Sequence, residues 1–165
     1  MEFSFKERLM VNLPLGKGTD APIAFKAGTV IFSQGENSKF LYLVKKGQLH
    51  LIKTTGPHLS ILKLCNEKEF LNEISVLTNK PTEYAAIAKT DIELVLVEQK
   101  DILSIIKGGP SWVPEMFETL CERLKATEEI ILEHNLLAGE KDIDTVLSKD
   151  DEKKYLNALA TYKKE

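Results

Sequence analysis

Short β-type segments separated by glycines fill the middle of the chain and limit the folds it can adopt. The candidate strands lie in PIAFKAG, TVIFSQG, KFLYLVKKG, QLHLIKTTG, LSILKLC and IELVLVE. The glycines that separate them recur at intervals of 7–12 residues: Gly28, Gly35, Gly47 and Gly56. Glycine adopts positive φ without a steric cost, so this spacing suits the tight corners of a roll or barrel. The pattern predicts an α+β fold, an antiparallel β-roll or jelly-roll, with a short helix inserted near Glu73–Leu77.

Helical periodicity replaces the β pattern after Val97. The segment QKDILSIIK predicts a short helix that the following Gly-Gly-Pro would end. A longer helix is predicted from 111 to 138, with an apolar stripe at three- and four-residue spacing. The last segment contains a possible capping box at Ser148–Asp151, followed by a modest amphipathic helix.

These changes of pattern divide the chain into four parts. Residues 1–20 form an N-terminal helix or connector, and 21–99 form the β-roll. Residues 100–138 hold the short and the long helix, and 139–165 form a C-terminal helical tail. The architecture expected is therefore a roll followed by C-terminal helices, one of them long.

Composition and charge exclude several classes of protein. A net charge of −3 gives no reason to expect a surface for nucleic acid. Cys65 and Cys121 lie in apolar settings and match no metal-ligand spacing, so we expect buried free thiols in a reducing compartment. The first residues lack the apolar core of a signal peptide, and apolar runs such as Phe40–Val44 are too short to span a membrane. We expect a cytoplasmic protein with no membrane or DNA partner.

The segment AGTVIFSQGENSKFLYLVKKGQLHL, residues 27–51, carries many fixed positions at fixed gaps. It resembles the first half of a cyclic nucleotide-binding domain, the β-roll of the catabolite-activator family. The matching positions are Gly28, Val30, Ile31, Gly35, Glu36, Phe40, Tyr42, Val44, Gly47 and Leu49. The resemblance extends over roughly residues 20–138, and it implies the roll, the short helix and the long helix. Fold alone does not establish function, because sites differ among proteins that share a fold.

The segment FLNEISVLTNKPTEYAA, residues 70–86, matches the family's phosphate-binding cassette only in part. In ligand-binding members the cassette reads approximately F-G-E-[LI]-[AS]-L-L, then a loop, then P-R-[ST]-A. The resemblance implies that the glycine and the first helix amides cradle the cyclic phosphate. It also implies that the glutamate binds the ribose hydroxyl and that the arginine neutralises the phosphate. The positions that fit are Phe70, Glu73, Ile74, Ser75, Leu77 and Pro81.

Four departures remove the phosphate-binding features. Asn72 replaces the glycine, Thr82 stands at the arginine position, Glu83 at the small-hydroxyl position, and Tyr84 replaces the alanine. Losing the arginine–phosphate contact costs about 1.5–3 kcal/mol. A carboxylate about 4 Å from a phosphate adds repulsion of roughly 1–4 kcal/mol. Together these terms lower affinity by a factor on the order of 10²–10⁵.

We therefore expect a degenerate site that does not bind cyclic AMP or cyclic GMP normally. We expect no cofactor beyond a possible weak or non-standard nucleotide ligand. The site would comprise Asn72, Glu73, Ile74, Ser75, Thr82, Glu83 and Thr127.

The two cassette carboxylates allow simpler interpretations that the sequence leaves open. Glu73 either binds a ligand or caps the N-terminus of its own helix, where a carboxylate is favourable. Glu83 is either a solvated charge at a strand start or an ion-pair partner of Lys80.

The long helix carries a second partial match. In bacterial catabolite-activator relatives, a Thr-Ser pair on this helix reaches the nucleotide base while the helix forms a dimer seam. Thr127 matches the threonine but Glu128 replaces the serine, so Thr127 is either a retained base contact or solvent-facing. The apolar stripe packs on the roll or pairs with a second copy, and we expect a homodimer. The predicted interface residues are Phe117, Leu120, Leu124 and Ile131.

No catalytic constellation is apparent in the sequence. His50, His58 and His134 are separate, whereas cupin metal enzymes need an H-x-H pair plus a carboxylate. There is no Ser/His/Asp arrangement and no P-loop, so we expect no catalytic residue and no metal site. Catabolite-activator transcription factors continue into a helix-turn-helix domain, and the short, slightly acidic segment after Ala138 does not resemble one.

Two functions are compatible with these observations. The first is a non-enzymatic, cyclic nucleotide-binding-like domain that acts as a dimeric interaction or scaffold module in bacterial signalling, through an unidentified partner protein. Its pocket would be empty, or filled by its own side chains or by the 140–165 segment. The alternative is a sensor for an altered nucleotide or a less acidic effector, which relays binding through the helices to a partner protein.

Overall fold

The computed structural model describes residues 21–56, 58–133 and 147–162. Within them, eight strands run in the order β1 Ile23–Phe25, β2 Val30–Phe32, β3 Phe40–Lys46, β4 Leu49–Thr55, β5 His58–Cys65, β6 Phe70–Leu71, β7 Ala85–Ala88 and β8 Ile92–Glu98. The helices are α1 (Glu73–Thr78), α2 (Gln99–Gly108), α3 (Trp112–Glu133) and α4 (Lys149–Tyr162). The predicted α+β class, with an antiparallel roll, a short inserted helix and later helices that include a long one, is confirmed.

Some predictions fall outside the described residues. The expected helix or connector at 1–20 is one of them. The predicted continuation of the long helix to 138 and the first part of the tail are others. Helix α3 is described as far as Glu133, and of Ile131 only its place in the helix backbone is described.

Two four-stranded antiparallel sheets form the roll. The first has the strand order β1-β8-β3-β6, and the second has the order β2-β7-β4-β5. The chain changes sheet repeatedly, so strands distant in sequence become neighbours. Ile23 in β1 lies opposite Leu94 in β8, and Val30 in β2 lies opposite Ile87 in β7. These pairings close the roll around residues from both sheets.

Apolar side chains from both sheets fill the interior of the roll. Phe32, Val44, Leu49 and Leu94 have no exposed surface. In the second sheet the alternate residues point outward, as the two-residue period of a strand requires. Strand β7 shows this clearly, because Ala86 joins the interior cluster while Ile87 joins a second apolar cluster on the outer face.

The glycines at the corners of the roll adopt the backbone conformation that favours glycine. Gly28, Gly35 and Gly47 each have φ of +84°. Gly47 is also confined by packing, since an added Cβ would lie 2.4 Å from the carbonyl oxygen of Asp91. Any larger residue at position 47 would therefore meet both backbone strain and a clash.

Several chemical features can be stated for the described part of the chain. No helix there is long and apolar enough to cross a membrane. The same residues hold no group of three or more His, Cys, Asp or Glu side chains that could bind a metal ion. Cys65 and Cys121 are free and buried, as predicted. Burial raises the pKa of the Cys65 thiol to about 12 and also raises that of Cys121, so both thiols are protonated at neutral pH.

Candidate functional site

Asn72 occupies the glycine position of the cassette, at the start of α1. Its φ of +67° is left-handed, a conformation that asparagine tolerates better than most residues. The residue is buried, and its side-chain amide donates a 2.9 Å hydrogen bond to the carbonyl oxygen of Phe40. Position 72 therefore keeps a glycine-like backbone, but a side chain fills the space beside it.

Tyr84 occupies the alanine position, and its hydroxyl accepts a hydrogen bond from one of the cassette amides. The backbone N–H of Asn72 donates to the Tyr84 hydroxyl at 3.3 Å. The Tyr84 ring packs against Phe32, with 5.8 Å between ring centroids. The resemblance implies that, in ligand-binding members, the backbone amides at this end of the helix bind the cyclic phosphate. Here a hydroxyl of the same chain bonds to the Asn72 amide.

Thr82, at the arginine position, is part of the framework of the roll. It is 3% exposed, and its Oγ1 donates a 2.7 Å hydrogen bond to the carbonyl oxygen of Ser33. The same hydroxyl accepts from the backbone N–H of Glu36 at 3.2 Å. Backbone bonds join Thr82 to Glu36 and to Gly35 at 2.9 and 2.8 Å. The side chain thus bonds to the β2–β3 turn, and its polar group is occupied within the chain.

Glu83 points toward α3. Its carboxylate lies 4.0 Å from Nζ of Lys125, and more than half of the Glu83 side chain is exposed. The suggested pairing with Lys80 is therefore wrong, because the partner comes from the long helix. The contact is a weak surface ion pair.

Glu73 is the first residue of α1 and carries an unused buried acceptor. Its Oε2 atom is buried without a hydrogen-bond partner, and so is Oδ1 of Asn72. Because Glu73 is in the first turn of the helix, the helix dipole favours its negative charge. Two adjacent residues of the cassette thus each hold a buried oxygen that could accept a hydrogen bond.

A cavity beside the cassette loop is small. Ile74 and Ser75 help to line it, together with Glu83, Tyr84 and Lys125, and its volume is about 20 Å³. That is room for about one water molecule. Pockets for small ligands usually measure roughly 300–1,000 Å³. In this conformation the cavity does not admit a nucleotide.

A larger groove of about 400 Å³ lies between α1, α2 and α3. Apolar side chains from all three helices line it, including Leu77, Ile106 and Phe117. Phe117, a predicted interface residue, therefore faces other parts of its own chain. Leu120 and Leu124, predicted for the same interface, are 50% and 44% exposed.

Thr127 is at the surface of α3. It is exposed, and its Oγ1 donates a 2.9 Å hydrogen bond to the carbonyl oxygen of Arg123 in its own helix. Of the two alternatives for Thr127, this geometry fits the solvent-facing residue, because the hydroxyl bonds within its own helix.

The C-terminal helix covers the outer face of the second sheet. Tyr155 and Leu159 are buried in the outer apolar cluster. The sheet side of this cluster consists of Val30, Ile52, Ala85 and Ile87. The Tyr155 hydroxyl also lies 3.1 Å from Nδ1 of His50. The suggestion that the tail fills the pocket does not hold for α4, which packs on the outside of the roll.

The sequence predictions missed one signal for this docking, which lies in strand β7. All four residues of Ala85–Ala88 are apolar and buried, although a strand with one solvated face would alternate. A continuous apolar run in an antiparallel roll indicates that both faces are covered.

The sequence is similar to proteins that bind cyclic nucleotides. The model of the cyclic nucleotide-binding domain family matches residues 22–108. The cyclic AMP receptor protein of Thermus thermophilus is 30% identical over 118 residues, which cover 71% of this chain and 53% of that protein. The chain therefore spans about half the length of this curated relative.

Solved structures agree with the match to the cyclic nucleotide-binding domain family. The catabolite activator protein of Thermus thermophilus matches with a TM-score of 0.56 and 28% identity, over 71% of this chain and 54% of that one. The EAL enzyme Bd1971 in its cAMP-bound form matches with a TM-score of 0.58 and 22% identity, over 71% of this chain and 32% of that one. The latter likeness concerns the fold alone. The chain belongs to the cyclic nucleotide-binding domain family.

Proposed function

We propose that this chain is a non-enzymatic regulatory domain that does not bind cyclic AMP or cyclic GMP normally. In this proposal it acts as a homodimeric interaction module in the cytoplasm of a bacterium and signals through a partner protein. The observation that carries the proposal is the Tyr84 hydroxyl on the Asn72 amide. A cyclic phosphate would have to displace that hydroxyl without help from an arginine.

The state of Thr82 and Glu83 supports the same proposal. Thr82 is buried in contact with the β2–β3 turn, so its hydroxyl is not available to a ligand. Glu83 adds a carboxylate near the cassette loop, and Lys125, which lines the same small cavity, is already paired with it. Lys80 also lines this cavity, so the phosphate of a nucleotide would meet one carboxylate and two lysines, of which Lys125 is already paired, and no arginine.

An open apolar face on α3 supports the homodimer. The exposed large apolar side chains of this helix are Trp112, Met116, Leu120, Leu124 and Ile130. A contiguous apolar stripe on a helix usually marks a surface for another protein. The α3 helix of a second copy presents the same stripe, so pairing the two helices would bury the exposed apolar side chains of both copies.

Thermal unfolding of the full chain with millimolar cyclic AMP, cyclic GMP and cyclic di-GMP tests the ligand part of the proposal. A ligand at about 100 times its dissociation constant stabilises by about 2.7 kcal/mol, which moves the midpoint by several degrees. We expect no shift for the wild-type chain. A clear shift with cyclic AMP or cyclic GMP would overturn the proposal, and a shift with cyclic di-GMP alone would favour the sensor described below.

A rebuilt cassette provides the matched variant. Thr82→Arg, Glu83→Ser and Tyr84→Ala together restore the Pro-Arg-Ser-Ala pattern and free the Asn72 amide. We expect this variant to gain a shift with cyclic AMP or cyclic GMP. Thr82→Arg with Glu83→Ser, which keeps the Tyr84 hydroxyl on the Asn72 amide, is the matched control and should gain a smaller shift.

One observation favours the alternative, a sensor of changed ligand chemistry. The buried acceptors on Asn72 and Glu73 would suit a ligand that presents hydroxyl or amine donors and carries less negative charge. The same thermal assay with adenosine and guanosine tests this alternative. A shift that Glu73→Gln reduces would favour the sensor, and the absence of any shift would leave the interaction module.

A further inference from the structure

Polar contacts along α4 hold it on the second sheet and on the β2–β3 turn. Glu152, near the start of the helix, accepts a hydrogen bond from the backbone N–H of Leu59 at 3.2 Å. Tyr155 bonds to His50 in the middle of the helix. At the end of the helix, the Tyr162 hydroxyl donates to Oε2 of Glu36 at 2.8 Å. The first two contacts reach the strands, whereas the third reaches a turn.

The turn that Tyr162 contacts also holds the cassette loop. Oε2 of Glu36 accepts a second hydrogen bond, from the backbone N–H of Ser33 at 3.1 Å. The backbone of Glu36 bonds to Thr82 in both directions, through the N–H to the threonine hydroxyl and through the carbonyl to the threonine amide. Glu36 is therefore shared between the C-terminal helix and the cassette loop.

The contacts continue from Thr82 into the cassette helix. The carbonyl oxygen of the preceding residue, Pro81, lies 3.5 Å from the Ser75 hydroxyl, which donates to it. The backbone N–H of Lys80 bonds to the Ser75 carbonyl oxygen at 3.2 Å. A displacement of the loop after α1 must therefore disturb either these bonds or the Thr82–Glu36 contact.

We propose that α4 is a releasable cover on the second sheet and that Tyr162 couples its release to the cassette loop. A ligand or partner that moves the loop away from the β2–β3 turn shifts Glu36 and weakens the contact at the end of α4. Release of α4 uncovers the apolar outer face, where Val30 and Ile87 lie. By reciprocity, fixing α4 on the sheet holds the loop in place. This coupling goes beyond the proposed function and would operate in either the interaction module or the sensor.

Hydrogen exchange on the full chain tests the coupling. Thr82→Val removes the hydroxyl and keeps the shape of the side chain, so it loosens the turn on the cassette side. We expect amide exchange in α4 to rise about threefold, since a typical net hydrogen bond changes an equilibrium by that order. Tyr162→Phe should raise exchange at the Thr82 and Gly35 amides, and in α4 by about tenfold, because its bond is to a charged group.

Combining the variants identifies the link. If Tyr162 carries the coupling, Thr82→Val has no further effect on α4 exchange in the Tyr162→Phe background. In the matched Tyr155→Phe background, which weakens α4 docking at a different point, Thr82→Val keeps its full effect. If Thr82→Val does not fold, Ser75→Ala replaces it, because it removes the hydrogen bond from the Ser75 hydroxyl to the Pro81 carbonyl oxygen on the cassette side.

Two results would overturn the proposal. One is unchanged α4 exchange in the folded Thr82→Val chain. The other is an equal effect of Thr82→Val in the Tyr162→Phe and Tyr155→Phe backgrounds, which would mean that the loop and α4 open independently of Tyr162.

Discussion

Of the described helices that follow the β-roll, the last two, α3 and α4, differ in how far their apolar faces are buried. Helix α4 places Leu159 against the second sheet, where 7% of it remains exposed. Helix α3 turns Phe117 and Cys121 toward the groove beside α1, but leaves Leu120 and Leu124 about half exposed. Among the described residues, one apolar face is thus covered by the same chain and the other is left open.

The difference depends on the surface that each helix meets. The outer face of the second sheet is apolar at Val30, Ile52 and Ile87, so α4 has a complementary surface nearby. No such surface covers the open side of α3 in the part of the chain that the structure describes. Amphipathic spacing predicts that a helix buries one face, but it does not identify the surface that will cover it.

The largest contrast should appear in stability. Leu159→Ala is expected to lower the free energy of unfolding by about 2–3 kcal/mol, because it removes buried methyl groups and leaves a cavity. Leu120→Ala is the matched change on α3 and should change it by less than about 0.5 kcal/mol in the monomer. Urea unfolding at low protein concentration measures both. Equal losses would mean that the two faces are buried alike.

Self-association should respond to the other helix. Leu124→Asp is expected to weaken dimerisation at least tenfold, or about 1.4 kcal/mol, because it places a charge in the apolar stripe of each copy. Sedimentation velocity over a range of concentrations measures this. Leu124→Met keeps the stripe apolar and serves as the control. A chain that stays monomeric without any substitution would show that α3 does not pair with a second copy.

A smaller effect is expected at the start of α4. The Ser148 hydroxyl accepts from the Asp151 N–H at 3.1 Å and donates to the Asp151 carboxylate. Ser148→Ala should therefore cost about 1 kcal/mol of local helix stability, measured as faster amide exchange in α4. Ser104→Ala, an exposed mid-helix change in α2, should cost nothing. If amide exchange in α4 is equal in the Ser148→Ala and Ser104→Ala variants, Ser148 does not stabilise the start of the helix.

The same cap should respond to pH. The hydrogen bond from Ser148, and then the contact with Lys154, hold the pKa of the Asp151 carboxyl below its usual range. A depressed carboxyl pKa means that the folded state favours the ionised form. The contribution to stability is therefore present at neutral pH and is lost as the pH falls below the ordinary aspartate range. Amide exchange in α4 at decreasing pH, compared with Asp151→Asn, measures it.

The smallest effect concerns the ion pair between α3 and the cassette loop. Glu83→Gln should change the free energy of unfolding by less than about 0.5 kcal/mol, because the contact with Lys125 is long and partly exposed. Thermal or urea unfolding measures it. A loss above about 1 kcal/mol would mean that α3 is tied to the loop as firmly as α4 is tied to the β2–β3 turn.

The roll could be predicted because its signal is local and repeated. Gly35 and Gly47 stand where the chain must turn, and both have the positive φ that glycine adopts easily. The helix after Asn72 and the helices after Val97 follow from periodicity in the same way. Features of this kind need only a few neighbouring residues to be recognised.

The orientation of the site residues could not be predicted in that way. The arginine position was recognised from the cassette pattern, but the direction of Thr82 depends on a turn 46 residues earlier in the chain. Likewise Glu83 pairs with Lys125 on a distant helix and not with its neighbour Lys80. The docking of α4 depends on the outer face of β7, and periodicity does not reveal that this face is covered because all four residues of the strand are apolar. Such contacts follow from tertiary packing.

The pairing of β1 with β8 has a consequence for how the chain folds. Ile23 lies opposite Leu94, so among the described strands the first one pairs only with the last one to be synthesised. A nascent chain that stops before β8 would leave β1 and β3 with unpaired edges. Such distant pairings slow folding, to about milliseconds to seconds for proteins dominated by them. Before β8 emerges from the ribosome, the unfinished roll would therefore be most exposed to aggregation.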